Sequence, residues 1–131
     1  MKLGYKDLLA RADAQVKSYD IAEALALRDN PDVVFIDIRD PRELERDGMI
    51  PGAHAAPRGM LEFWIDPESP YHKPYFAEDR EFLFYCASGW RSLLAAEVAQ
   101  QMGLRVASLR GGFGDWRRAG HPVAAREHRQ P

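Results

Sequence analysis

Two apolar runs constrain this chain more than any other feature: Val33-Val34-Phe35-Ile36 and Phe82-Leu83-Phe84-Tyr85. Neither alternates apolar with polar residues, as a strand with one wet face does. Both read as strands covered on both faces, the environment of a parallel sheet with helices packed above and below it.

The segments between them complete that pattern. A helix is expected over residues 5–16, with Leu8, Leu9 and Ala12 on one side. Ser18 reads as the N-cap of a second helix reaching Leu27, with Ile21, Ala24 and Leu25 at helical spacing, closed by Asp29-Asn30-Pro31. The first run continues into Asp37, Ile38 and Arg39, then a short helix over 42–46, the turn Ile50-Pro51-Gly52 and a short strand over 53–56. Pro57, Pro67, Pro70 and Pro74 argue against one long helix or central strand between 58 and 76, so this region reads as a surface excursion anchored by aromatics, Trp64 among them. The second run spans 81–85 and leads into Cys86. A helix follows over 91–102 ending at Gly103, then a strand over 105–109, a glycine turn, a short helix over 113–118 with Trp116 packed in the core, and an exit from Gly120. Strands alternating with helices give an open α/β domain with a mainly parallel sheet. In such sheets ligands sit beyond the carboxyl ends of the strands, where Cys86 and the Asp37/Arg39 pair fall.

Composition narrows the function. A chain of 131 residues fits one domain with a core of its own. Its formal net charge of -2 gives no field that would gather nucleic acid or an anionic membrane, so any anion site is local. No apolar run approaches the roughly 20 residues needed to cross a bilayer, and the N-terminus lacks a signal peptide's apolar core, so the cytoplasm is the expected compartment. His54, His72, His121 and His128 show no metal-ligand spacing, and Gly111-Gly112-Phe113-Gly114 lacks the lysine of a phosphate-binding loop, so neither metal nor cofactor is expected.

Cys86 is the only cysteine, which excludes an internal disulfide and a Cys-x-x-Cys site. It stands where the second apolar run meets Ala87-Ser88-Gly89-Trp90-Arg91-Ser92. A small-residue loop opening a helix can converge backbone N–H groups, and the helix dipole, on one point. An ordinary thiol, with a pKa of about 8.5, is only a few per cent ionised at neutral pH. Lowering it by about two units takes roughly 2.7 kcal/mol, more than the ~0.3–1 kcal/mol of a surface helix dipole, so loop amides and Arg91 are expected to contribute. The alternative for a lone cysteine after a buried strand is a small core hydrophobe.

Three segments, in order, resemble the rhodanese-like family. They are Phe35-Ile36-Asp37-Ile38-Arg39-Asp40-Pro41-Arg42-Glu43 with Gly48-Met49-Ile50-Pro51-Gly52-Ala53-His54; Tyr85-Cys86-Ala87-Ser88-Gly89-Trp90-Arg91-Ser92; and Leu109-Arg110-Gly111-Gly112-Phe113-Gly114-Asp115-Trp116 with Gly120-His121-Pro122. The resemblance spans residues 16–124, leaving 1–15 as a helical extension and 125–131 as a polar tail. It implies the rhodanese-like fold and a single-domain sulfurtransferase in which Cys86 takes a sulfane sulfur as a persulfide, held by Ala87, Ser88, Gly89, Trp90 and Arg91. The donor is thiosulfate-like or a persulfide, and the acceptor is cyanide or a thiol. Met49 departs from the family's frequent His. Ala87 departs from the Arg frequent in thiosulfate-using members and leaves one fewer cation for a dianionic donor.

Around this centre, Asp37 and Arg39 read as orienting the active-site loop or pairing with each other, and alternatively as ordinary strand-end charges meeting water, and Arg58 as positive charge near the mouth or a surface residue. Trp90 is a wall for an acceptor or for a sulfur-accepting partner protein, or else a ring packed on the helix start. Two rival functions remain: a phosphatase or arsenate reductase, whose pattern places Arg six residues after Cys where Arg91 here is five after Cys86, and a non-catalytic binding module.

Overall fold

The computed structural model describes residues 1–126. The elements run α1 (Tyr5–Gln15), β1 (Lys17–Tyr19), α2 (Ile21–Leu27), β2 (Val33–Asp37), α3 (Pro41–Asp47), β3 (His54–Ala55), a 3₁₀ turn (Arg58–Met60), α4 (Leu61–Ile65), a second 3₁₀ turn (Pro74–Ala77), β4 (Glu81–Tyr85), α5 (Trp90–Gln101), β5 (Val106–Leu109) and α6 (Gly112–Arg118). Five strands form one sheet in the order β1-β5-β4-β2-β3, and every pair is parallel.

The apolar runs lie where their composition placed them. Successive side chains of a strand face opposite sides. Val34, Ile36, Phe82, Phe84 and Val106 therefore meet Ala95, Ala96 and Ala99 of α5 and Leu61 and Ile65 of α4. Phe35, Leu83, Tyr85, Ala107 and Leu109 meet Ala24 of α2 and Phe113 and Trp116 of α6. Cys86 keeps the parity of Phe82 and Phe84, so its side chain projects onto the α5 face.

Three local readings are corrected. Ser18 is not a helix cap: it lies in β1, paired with Ser108, and the cap of α2 is Asp20, whose side chain accepts from Glu23 N while Glu23 accepts from Asp20 N. A three-residue edge strand of sequence Lys-Ser-Tyr carries too little apolar signal to compete with a capping pattern. Residues 58–76 are not a bare excursion, because α4 forms within them and Leu61, Ile65 and Phe76 are buried. α5 starts at Trp90, so that residue opens the helix.

α1 packs along α5, with Gln100 Nε2 donating to Gln15 O at 2.8 Å and Tyr5 and Trp90 in ring contact at 5.3 Å. No described helix is long and apolar enough to cross a membrane. The expected tail beyond residue 126, with His128, lies outside the described residues.

Candidate active site

The loop after β4 wraps the cysteine because two glycines permit it. Gly89 caps α5 at φ +101, a left-handed conformation that L side chains rarely adopt, and a Cβ there would stand 3.3 Å from Gly111 N and Leu109 O. Beneath the loop, Gly112 (φ +62) lies so close that a Cβ would come within 2.6 Å of Cys86 O and 2.7 Å of Ala87 O. That approach lets Phe113 N donate to Cys86 O at 2.8 Å and Gly114 N to Ala87 O at 3.0 Å. The turn into α6 is thus the floor of the loop.

Cys86 Sγ is buried and receives two backbone amides, Gly89 N at 3.1 Å and Ser92 N at 3.4 Å. Ser92 Oγ lies 3.6 Å from the sulfur, donates to Gly89 O at 3.3 Å and is joined to Ser108 Oγ at 2.9 Å. Two N–H groups converging on one sulfur at the start of a helix favour its anionic forms. Of the residues anticipated as the cradle, Gly89 touches the sulfur, while Ala87 fixes the loop through its carbonyl. Ser88 and Trp90 are exposed.

Arg91 points its guanidinium at Glu43, with both N–O distances 2.8 Å. Glu43 also accepts from Asp40 N at 2.9 Å, closing the capping box of α3. The Arg91 hydrogen bonds hold the Glu43 carboxyl at about 2, against an ordinary 4.5. Arg91 is raised in turn, first by Glu43 and further by the nearby cysteine.

Asp37 and Arg39 pair with each other. Arg39 Nη2 is 2.7 Å from Asp37 Oδ2 and donates to Gly48 O at 2.6 Å, and its guanidinium lies 4.2 Å over the Phe113 ring. They buttress the floor from behind. Arg58 is not brought to the loop: its exposed side chain lines a small depression with Leu61, Glu62, Ala95, Val98 and Met102.

Sequence reasoning missed Ser92, Ser108 and Glu43. Ser108 had a signal, a hydroxyl between Ala107 and Leu109 in a buried strand, where a polar group needs a partner. Glu43 showed only its capping spacing from Asp40, and nothing local links it to Arg91.

Comparison with known proteins agrees with this geometry. The profile of the Rhodanese-like domain matches residues 20–119. A protein named sulfurtransferase from Allochromatium vinosum is 36% identical over 114 residues, 86% of this chain and 96% of its own. A solved structure from Rhodopseudomonas palustris CGA009, described as a protein of unknown function and possible tyrosine phosphatase, is 55% identical with a TM-score of 0.92, covering 95% of this chain and 96% of that one. A rhodanese-related protein from Thermoplasma volcanium is 27% identical with a TM-score of 0.69, covering 84% of this chain and 99% of that one. With three-quarters of its length inside that profile and its cysteine loop at the carboxyl edge of the same parallel sheet, the chain belongs to the rhodanese-like domain family.

Proposed function

We propose that this chain is a sulfurtransferase that carries sulfane sulfur on Cys86 as a persulfide. The observation that carries the reading is the pair of amides, Gly89 N and Ser92 N, directed at a buried Sγ. A cysteine serving only as packing needs no such donors.

In the first half-reaction the Cys86 thiolate attacks the outer sulfur of a donor. The Sγ–S bond forms, the donor's S–S bond breaks, and the electron pair leaves with the donor remnant, sulfite from thiosulfate or a thiolate from a persulfide. In the second, cyanide or a thiolate attacks the outer sulfur and Cys86 leaves as thiolate. The loop amides hold whichever sulfur bears negative charge. No cofactor enters either step. A reducing compartment such as the cytoplasm suits a lone working thiol. An acceptor approaches past Trp90, either as a small molecule or as a residue of a sulfur-accepting protein.

Intact mass after exposure to a donor tests the reading: we expect a gain of about 32 Da that cyanide removes and that Cys86→Ser never acquires. No adduct under thiosulfate, mercaptopyruvate or persulfide would end it. The possible tyrosine phosphatase among the solved structures motivates one comparison, turnover of p-nitrophenyl phosphate. Arg91 is five residues after Cys86 and engaged by Glu43, and the sixth residue is Ser92, so we expect no phosphomonoester turnover.

A further inference from the structure

The Cys86 loop carries one cation, Arg91, and that cation is already spoken for. Glu43 grips it through both carboxylate oxygens at 2.8 Å, so the ion pair presents little net charge to an approaching donor. The pair is partly buried, with side-chain exposures of 39% for Arg91 and 20% for Glu43, so solvent screens it less than an open surface pair. The other nearby arginines do not replace it. Arg39 is buried against Asp37 and Gly48 O, Arg118 beside Gly114 is paired with Asp115, Arg110 is 4.0 Å from Asp13, and Arg58 lies away from the loop with Glu62 between α4 and α5. Ala87 and Ser88 add no charge.

We propose that Glu43 sets the charge preference of this site: by cancelling Arg91 it steers Cys86 toward a sulfur donor whose reacting end carries at most one negative charge, and away from a dianion such as thiosulfate. The proposal rests on the sulfurtransferase reading for its chemistry. With a persulfide donor, the Cys86 thiolate attacks the terminal sulfur of R–S–S–H; the new Sγ–S bond forms, the donor's S–S bond breaks, the proton stays on the transferred sulfur, and the electron pair departs with RS⁻. Two loop amides are then the only positive partners the step needs. With thiosulfate, two charges must enter and sulfite must leave as a dianion, so an uncancelled arginine would matter in both directions.

The test separates charge from scaffolding by alkylating Cys86 in the intact chain with anionic iodoacetate and with neutral iodoacetamide. Glu43→Gln keeps the length and an acceptor for Asp40 N while freeing the Arg91 charge. We expect it to raise the iodoacetate-to-iodoacetamide rate ratio about tenfold at low ionic strength, the gain shrinking at about 0.5 M salt. Arg91→Gln, which leaves the α3 cap intact, is expected to lower the same ratio by leaving Glu43 unopposed. With sulfur donors, Glu43→Gln should lower KM for thiosulfate severalfold and leave kcat/KM for β-mercaptoethanol persulfide within about twofold.

An unchanged ratio in either variant overturns the proposal, as does a parallel fall with both reagents, which marks Glu43 as a mere brace for the loop. Because alkylation needs no sulfur transfer, a wild-type chain that forms no persulfide sinks the sulfurtransferase reading alone, and the ratio still judges Glu43.

Discussion

Ser108 hides a hydroxyl in an apolar strand, and its partner Ser92 stands 3.6 Å from the cysteine sulfur. Ser108→Ala leaves Ser92 short of one partner in a dry setting. We expect a loss of about 1–2 kcal/mol in urea unfolding and a severalfold slower alkylation of Cys86, because the serine that lies beside the sulfur is no longer held. Glu43 gives a second residue-scale expectation, with pH as the variable. Its folded pKa of about 2 lies below its ordinary 4.5, so the folded state favours the carboxylate. The stability it contributes is therefore fully present above about pH 4.5 and is lost as pH falls toward 2. Discounted for solvent at the half-exposed Arg91, that contribution is about 1 kcal/mol. Urea unfolding of wild type and Glu43→Gln should differ by this amount at pH 6 and converge near pH 2; a gap that persists at low pH would contradict the assignment. Gly112→Ala is the severe case. Its Cβ would strike Cys86 O and Ala87 O from a left-handed backbone, so we expect more than about 2 kcal/mol of lost stability and a loop no longer seated on its floor.

At the scale of elements, α1 is the instructive piece, because it lies outside the family profile yet packs on the helix that opens at the cysteine loop. Ala12 is fully buried and Val16 nearly so, and Gln100 and Glu97 of α5 reach back to Gln15 and Arg11. Removing residues 1–15 should lower the unfolding free energy by about 2 kcal/mol, from lost apolar burial and a carbonyl bond, as measured by chemical denaturation. Local signals explain which elements were legible. β2, β4 and α5 announce themselves through continuous apolar runs and an alanine-rich helix. β1 does not, since Lys17, Ser18 and Tyr19 become a strand only because β5 supplies a neighbour ninety residues along the chain. The site divides the same way. Cys86 and the glycine of its loop follow from local chemistry, whereas the Glu43–Arg91 pair and the floor at Gly112 exist only once distant segments meet.

On the whole-molecule scale the segment after α6 ties distant parts of the chain together. Met49 and Ala124 exchange two backbone bonds of 2.8 Å, and the buried Trp116 donates to Pro122 O at 2.8 Å. A chain cut after residue 119, where the family profile ends, should lose about 2 kcal/mol or more and show red-shifted Trp116 emission, because the indole N–H loses its carbonyl and water gains access. The sheet order carries a further consequence for a chain growing on the ribosome. β5, the last strand in sequence among the described residues, is inserted between β1 and β4, so until residue 109 has emerged β1 has no neighbour and β4 lacks one side. Nor can the floor of the cysteine loop form before residues 112–114 follow. Most of this domain is made before any stable sheet can close, and Cys86 is made well before the structure that shelters it.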